Sequence, residues 1–145
     1  GAVRLTPART MSQFVLPVRV YLEDTDAQGV VYNASYFRFL ERARTEWLRT
    51  HGVDHNQILK QEGIVLVLVG TEVRFNRPAR LDDMLYVTAE LSELKGARFI
   101  FAQGIHRESP DGELLCRGIA EVACMDAEQR KPRRVPAGLL SELTE

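Results

Sequence analysis

Two periodicities divide this chain. In Val15–Leu22, Val18 and Val20 alternate with Arg19 and Tyr21, which predicts a strand. From Asn33 to about Thr50 the period turns helical, with Phe37, Leu40, Arg44, Trp47 and Leu48 at offsets of three and four. His51-Gly52 ends that helix, because glycine tolerates the left-handed cap, and Asp54 caps a shorter one at Asn56–Glu62. Beyond Gly63 the pattern is β. Ile64–Asn76 is β-branched and apolar until Pro78, and Asp82-Asp83 turns the chain into Met84–Leu94. Lys95-Gly96 marks a hairpin into Arg98–His106, and Ser109-Pro110-Asp111-Gly112 is a strong turn before Leu114–Met125. The tail from Asp126 is polar and basic, with a short turn at Ala137–Leu143.

The order is strand, long helix, short helix and four strands joined mainly by short turns. This predicts an α+β domain in which an antiparallel sheet wraps a long central helix. Such a sheet keeps free edges, and pairing them between copies satisfies them. Gly1–Thr10 holds two arginines and no apolar core, so it does not read as a secretory signal. Met11 reads as a natural initiator. Residues 1–10 are therefore expected to be an appended or disordered leader, with 11–145 as the single domain.

Composition narrows the classes. The chain has 145 residues, 45% hydrophobic and 27% charged, with a net charge of −1. That balance gives no global attraction to nucleic acid or membranes. The longest apolar run, Ile64–Val69, falls far short of the roughly 20 residues that span a bilayer, so no stable membrane insertion is expected. Cys116 and Cys124 would lie roughly 27 Å apart along one strand at about 3.4 Å per residue. They cannot bridge there, and read as small buried residues of a cytoplasmic protein.

The chemistry concentrates in residues 23–36. Asp24 and Asp26, then Gly29, then Asn33 at a helix start put an acid, a flexible backbone and a helix N-terminus within about ten residues. Those are the parts needed to attack a carbonyl and stabilise its oxyanion. Asp26 fits a nucleophile or a general base, or alternatively a turn carboxylate. Asp24, two residues earlier, would face the other way and reads as structural. Asn33 suits a helix N-cap, and the backbone N–H groups there can serve an oxyanion whatever the side chain. Gly29 gives the loop its backbone freedom.

The run Val20-Tyr21-Leu22-Glu23-Asp24-Thr25-Asp26-Ala27-Gln28-Gly29-Val30-Val31-Tyr32, with Tyr36 and then Phe39-Leu40-Glu41-Arg42-Ala43-Arg44-Thr45-Glu46-Trp47-Leu48-Arg49, closely resembles hotdog-fold acyl-CoA thioesterases. The likeness is to the 4-hydroxybenzoyl-CoA thioesterase family, in particular its Tol-Pal-associated bacterial branch. It continues through Pro78-Ala79-Arg80-Leu81-Asp82-Asp83-Met84-Leu85 and Lys131-Pro132-Arg133. The resemblance implies hydrolysis of an acyl-CoA or acyl-carrier-protein thioester, with no cofactor. It puts the catalytic aspartate at Asp26 and the carbonyl-polarising helix amide at Asn33. Gly29, Val31 and Tyr32 follow as substrate-binding positions. It also implies a site between two subunits of a homodimer or homotetramer, with an acyl pocket formed by the helix and Ile64–Val69. Lys95, Arg98 and Arg133 are the candidates to hold coenzyme A phosphates at the pocket mouth. Close relatives carry histidine at the position of Asn33 and tyrosine at that of Leu22.

Other chemistries find less support. Glu41 lies on the helix stripe and is a second catalytic candidate, because another hotdog lineage uses a helix glutamate; its simpler reading is an ion pair with Arg38 or Arg44. His51 and His55 straddle Gly52, so no metal site is expected, and there is no Gly-x-Ser-x-Gly elbow. The competing function is a non-catalytic acyl-thioester binding or scaffold protein on the same fold. A dehydratase would need a catalytic histidine that the acidic loop lacks.

Overall fold

The computed structural model describes residues 2–4 and 13–144 of the chain. Strands β1 (Ala2–Arg4) and β2 (Phe14–Arg19) precede helices α1 (Asn33–Thr50) and α2 (His55–Glu62). Strands β3 (Ile64–Phe75), β4 (Met84–Lys95), β5 (Arg98–Arg107) and β6 (Leu114–Asp126) follow, and α3 (Ala137–Thr144) closes the chain. All strand pairs are antiparallel, in the order β1-β4-β5-β6-β3 within a six-stranded sheet. β2 also pairs with β4, over Phe14–Arg19, and shares that edge with β1. Pro17 fits such an edge strand, where its missing N–H leaves no ladder bond unmade.

Two expectations at the N-terminal side change. The first strand stops at Arg19, and Leu22–Asp24 forms one 3-10 turn. Of the segment set aside as a leader, Ala2–Arg4 pairs with Glu93–Lys95, while 5–10 and Met11 lie outside the described residues.

α1 lies across one face of the sheet. Its buried stripe is Tyr36, Phe39, Leu40, Ala43, Arg44, Trp47 and Leu48, so Phe37, expected on the stripe, instead sits half a face away and 40% exposed. Trp47 meets Phe101 edge-on at 5.3 Å. The helix approaches β6 closely at Gly118, where an added Cβ would stand 3.3 Å from Leu40 Cδ1. Burial of Phe39, Phe99 and Phe101 stabilises this layer by about 1.5–3 kcal/mol per side chain. Asp54 caps α2 by accepting from Gln57 N–H at 2.7 Å, and Gly63, at φ 67°, ends it as the pattern predicts.

β3 is the terminal strand on the side away from β1 and β2, so one of its edges is unpaired among the described residues. Its register against β6 slips by one residue between Leu68 and Gly70. Cys116 and Cys124 are both buried and free, as expected. Burial pushes the Cys116 thiol up to about 12.

Candidate active site

The loop after β2 is built on Asp24. Its carboxylate is buried and accepts from Tyr21 N–H at 2.8 Å, and its backbone carbonyl receives Tyr32 N–H at 2.9 Å. It ties the two ends of the loop and has a structural role. Between them, Thr25 bridges Val31, Asp26 N–H donates to Val30, and Gly29 N–H donates to Asp26. Gly29 takes φ +79°, a conformation open to glycine at little cost. The loop rests on residues 79–81: Val31 N–H reaches Ala79 O at 2.8 Å and Val30 bridges Arg80.

This scaffold presents Asp26 outward. Its Oδ1 accepts from Gln28 N–H at 2.8 Å, a local turn bond, and the side chain is exposed. Six residues on, α1 starts with Tyr32 as its N-cap and Asn33 as its first helical residue, so the expectation of Asn33 as the cap is corrected. Tyr32 makes no side-chain cap bond, and the first turn carries no acid. The first amides of a helix have no carbonyl one turn back to receive them. Ser35 N–H turns to Tyr32 O at 2.8 Å, and among the described residues no side chain caps the amides of Asn33 and Ala34 or offsets the helix's partial positive charge from within its first turn.

Asp26, Val31, Tyr32 and Asn33 line one cavity of about 340 Å³, walled on its far side by Tyr36 and by Phe75, Arg77 and Pro78 at the end of β3. An acid, a helix N-terminus and an apolar wall thus share one open space. Sequence reading assigned no role to Phe75 or Arg77. The one signal for them was their place just before Pro78, at the end of a predicted strand. Tyr36 meets Phe75 edge-on at 5.2 Å, and burial raises its phenol above the ordinary value.

Lys95, Arg98 and Arg133 do not join this cavity within one chain. Lys95 and Arg98 face each other across the β4–β5 hairpin, eleven residues along β4 from Met84, or about 36 Å at about 3.3 Å per residue. Arg98 pairs with Glu121 at 3.0 Å, and Arg133 donates to Glu62 O beside the start of β3.

Glu41 lies elsewhere too. It is exposed, accepts from Thr45 Oγ1 at 3.0 Å, and forms no ion pair with Arg38 or Arg44 among the described residues; Arg38 bonds Ser35 Oγ instead. Glu41 and Arg44 line a second cavity, of about 170 Å³, between α1, α2 and the sheet. His51 packs on Trp47, with ring centroids 4.3 Å apart, and His55 stands 3.5 Å from Thr45 Oγ1. Among the described residues no cluster could hold a metal, and no helix is long and apolar enough to cross a membrane.

An antiparallel sheet wrapped on one long helix, with an acidic loop at the helix N-terminus, is the hotdog fold. The chain belongs to the thioesterase-like superfamily, which it matches over residues 20–143. It is 43% identical over 129 residues to the acyl-CoA thioester hydrolase YbgC of Escherichia coli O6:H1, covering 89% of this chain and 94% of that protein. A crystal structure described as a probable thioesterase from Bartonella henselae superposes with a TM-score of 0.79 at 36% identity, over 86% of this chain and all 100% of that one. The 4-hydroxybenzoyl CoA thioesterase structure gives a TM-score of 0.83 over 90% of this chain and 98% of that one. At 23% identity, that likeness speaks for the fold.

Proposed function

We propose that this protein hydrolyses acyl-CoA thioesters, or the equivalent carrier-protein thioesters, to free acid and thiol, with Asp26 as the reacting carboxylate. The observation that carries the reading is that Asp26 and the uncapped start of α1 line one cavity. As general base, Asp26 takes a proton from water while the hydroxyl adds to the thioester carbon. As nucleophile, its carboxylate oxygen adds directly and the resulting anhydride is then hydrolysed. In both routes the developing oxyanion is received by the amides at Asn33 and Ala34. Collapse expels the thiolate. In the general-base route it takes the proton held by Asp26. In the nucleophilic route it leaves as the anhydride forms and is protonated by solvent, with water then cleaving the anhydride to return Asp26 and the acid.

The working unit is a dimer through the free edge of β3. Antiparallel pairing about an axis near Thr71 sets Arg74–Asn76 of one copy beside Leu66–Leu68 of the other. The support is the unpaired edge, together with the exposure of Leu68, Val69 and Phe75 at 46%, 44% and 45%. In that arrangement Lys95, Arg98 and Arg133 of one copy approach the Asp26 cavity of the other and are placed to meet coenzyme A phosphates. Tetramers would pair two such dimers.

The test is free-thiol release across short, long and aromatic acyl-CoAs, with Asp26→Asn as control. Hydrolysis that falls by about 10²–10⁴ in the variant supports the reading. Wild-type rates in the variant would remove Asp26 from the mechanism. Tight binding with no turnover of any thioester would favour a scaffold protein.

A further inference from the structure

The second cavity has a feature that an acyl pocket made only of hydrocarbon would lack. Phe101, Val122, Leu48, Leu66 and Leu68 supply apolar walls, yet Arg44 lines it as well and is 9% exposed. Arg44 Nη1 donates to Gln103 Oε1 at 2.9 Å, and Gln103 is itself held by Leu40 O and Thr88 O at 3.0 and 3.3 Å. That neutral amide is its sole hydrogen-bond partner among the described residues, and no carboxylate there stands within ion-pair distance of it. A guanidinium has five N–H donors, and a buried one left short of acceptors is costly. Burial accordingly lowers its affinity for the proton, while Glu41 nearby opposes that. Among the described residues no sealed side-chain nitrogen lacks a partner, so the remaining donors reach accessible space, and the cavity that Arg44 lines carries Glu41, Thr45 and His55 at its rim.

We propose that Arg44 is a specificity-determining residue that makes this cavity select short acyl groups ending in a neutral oxygen, such as a distal hydroxyl, over saturated acyl groups of the same size. The inference rests on the thioesterase reading above, in which a partner's Asp26 comes to the Leu66–Leu68 edge where this cavity opens. Size follows from the small volume, about 170 Å³, and from walls supplied by only a few apolar side chains, which suit a short acyl chain. Neutrality follows from charge, since the carboxylate of Glu41 shares the rim with the cation of Arg44. A hydroxyl can accept from the guanidinium and donate to a carboxylate; a methyl in its place does neither and displaces the water that could. Sites built to hydrogen-bond a substrate oxygen discriminate strongly against analogues that lack it.

The experiment compares 4-hydroxybutyryl-CoA with pentanoyl-CoA, which replaces the hydroxyl by a methyl, and adds succinyl-CoA as the charged arm. Two quantities are read: kcat/KM for the wild type, and Kd by calorimetry on the Asp26→Asn variant. We expect the hydroxyacyl substrate to be preferred at least 10-fold over both others. Arg44→Met should bring the hydroxyacyl-to-pentanoyl ratio near one, while Arg44→Lys retains part of the preference. Glu41→Gln, on an exposed position that leaves folding intact, should lower the same ratio several-fold. A wild-type ratio of one, a ratio unchanged in Arg44→Met and Glu41→Gln, or a preference for succinyl-CoA overturns the proposal. If no thioester is hydrolysed at all, the catalytic reading fails, and the Kd ratio still decides the role of Arg44.

Discussion

The phenol oxygen of Tyr36 accepts a hydrogen bond from the backbone N–H of Ala79 at 2.9 Å, and both residues are buried. Tyr36 stands in the first turn of α1, while the carbonyl of Ala79 receives Val31 N–H from the Asp26 loop. One side chain therefore couples the helix start to the shelf on which the acidic loop rests. Tyr36→Phe leaves the Ala79 N–H buried without an acceptor and should destabilise the fold by about 1–3 kcal/mol. Urea denaturation measures this directly, and a midpoint equal to the wild type would show that the bond contributes nothing.

The two loop carboxylates should separate cleanly. Asp24→Ala removes the acceptor of Tyr21 N–H and should lower stability by about 0.5–2 kcal/mol. Asp26→Asn should leave stability within about 0.5 kcal/mol, because its one bond is local and exposed, while abolishing most thioester turnover. Thermal melting and thiol release, run on both variants, make the comparison.

Asn33 should matter through its backbone alone. Asn33→Ala is expected to keep turnover within a few-fold of wild type. Asn33→Pro deletes the amide at a position where helices accept proline readily, so melting should change little while kcat drops by about 10²–10³. Equal rates in the two variants would move the oxyanion site away from this N–H.

Burial of Cys116 predicts a loss of stability in alkali. Its thiol is raised from 9.0 to about 12 in the folded state, so between those values the unfolded chain releases a proton that the folded one keeps. Stability from this group is constant below pH 9 and falls as pH rises toward about 12, by at most about 2 kcal/mol between pH 9 and 10.5. Urea midpoints across that range should fall more steeply for wild type than for Cys116→Ala. The same burial predicts that thiol reagents fail to label Cys116 in the folded protein near pH 8.

Local signals were legible in the chain, and distant placement was not. The limits of α1 fell where the sequence put them because period and the stop at Gly52 are encoded within a few residues. The Lys95-Gly96 hairpin and the Asp54 cap were readable for the same reason. The role of Asn33 shifted by one position, since Tyr32 is the last extended residue and a residue's side chain does not reveal which φ/ψ it adopts. Lys95, Arg98 and Arg133 carry suitable charge, but only strand register shows that they lie at the opposite end of the sheet from Asp26. Arg77 and Phe75 gave no sign of their place at the cavity, because they reach it through the pairing of β3 with β6. Arg44 read as part of a helical stripe; that it is a buried cation facing a cavity depends on Gln103, 59 residues away.

The slip in β3 register acts like a reading-frame correction on a surface. Leu66 and Leu68, before it, sit opposite Cys124 and Val122, while Val73 and Phe75, after it, sit opposite Gly118 and Cys116. Even-numbered positions face the helix on one side of the slip and odd-numbered ones on the other. A regular ladder that kept residue 69 in step would turn Val73 and Phe75 to the outer face while Leu66 stayed within, so only one of the two cavities could have its wall. The slip absorbs residue 69 and so lets a single strand serve both.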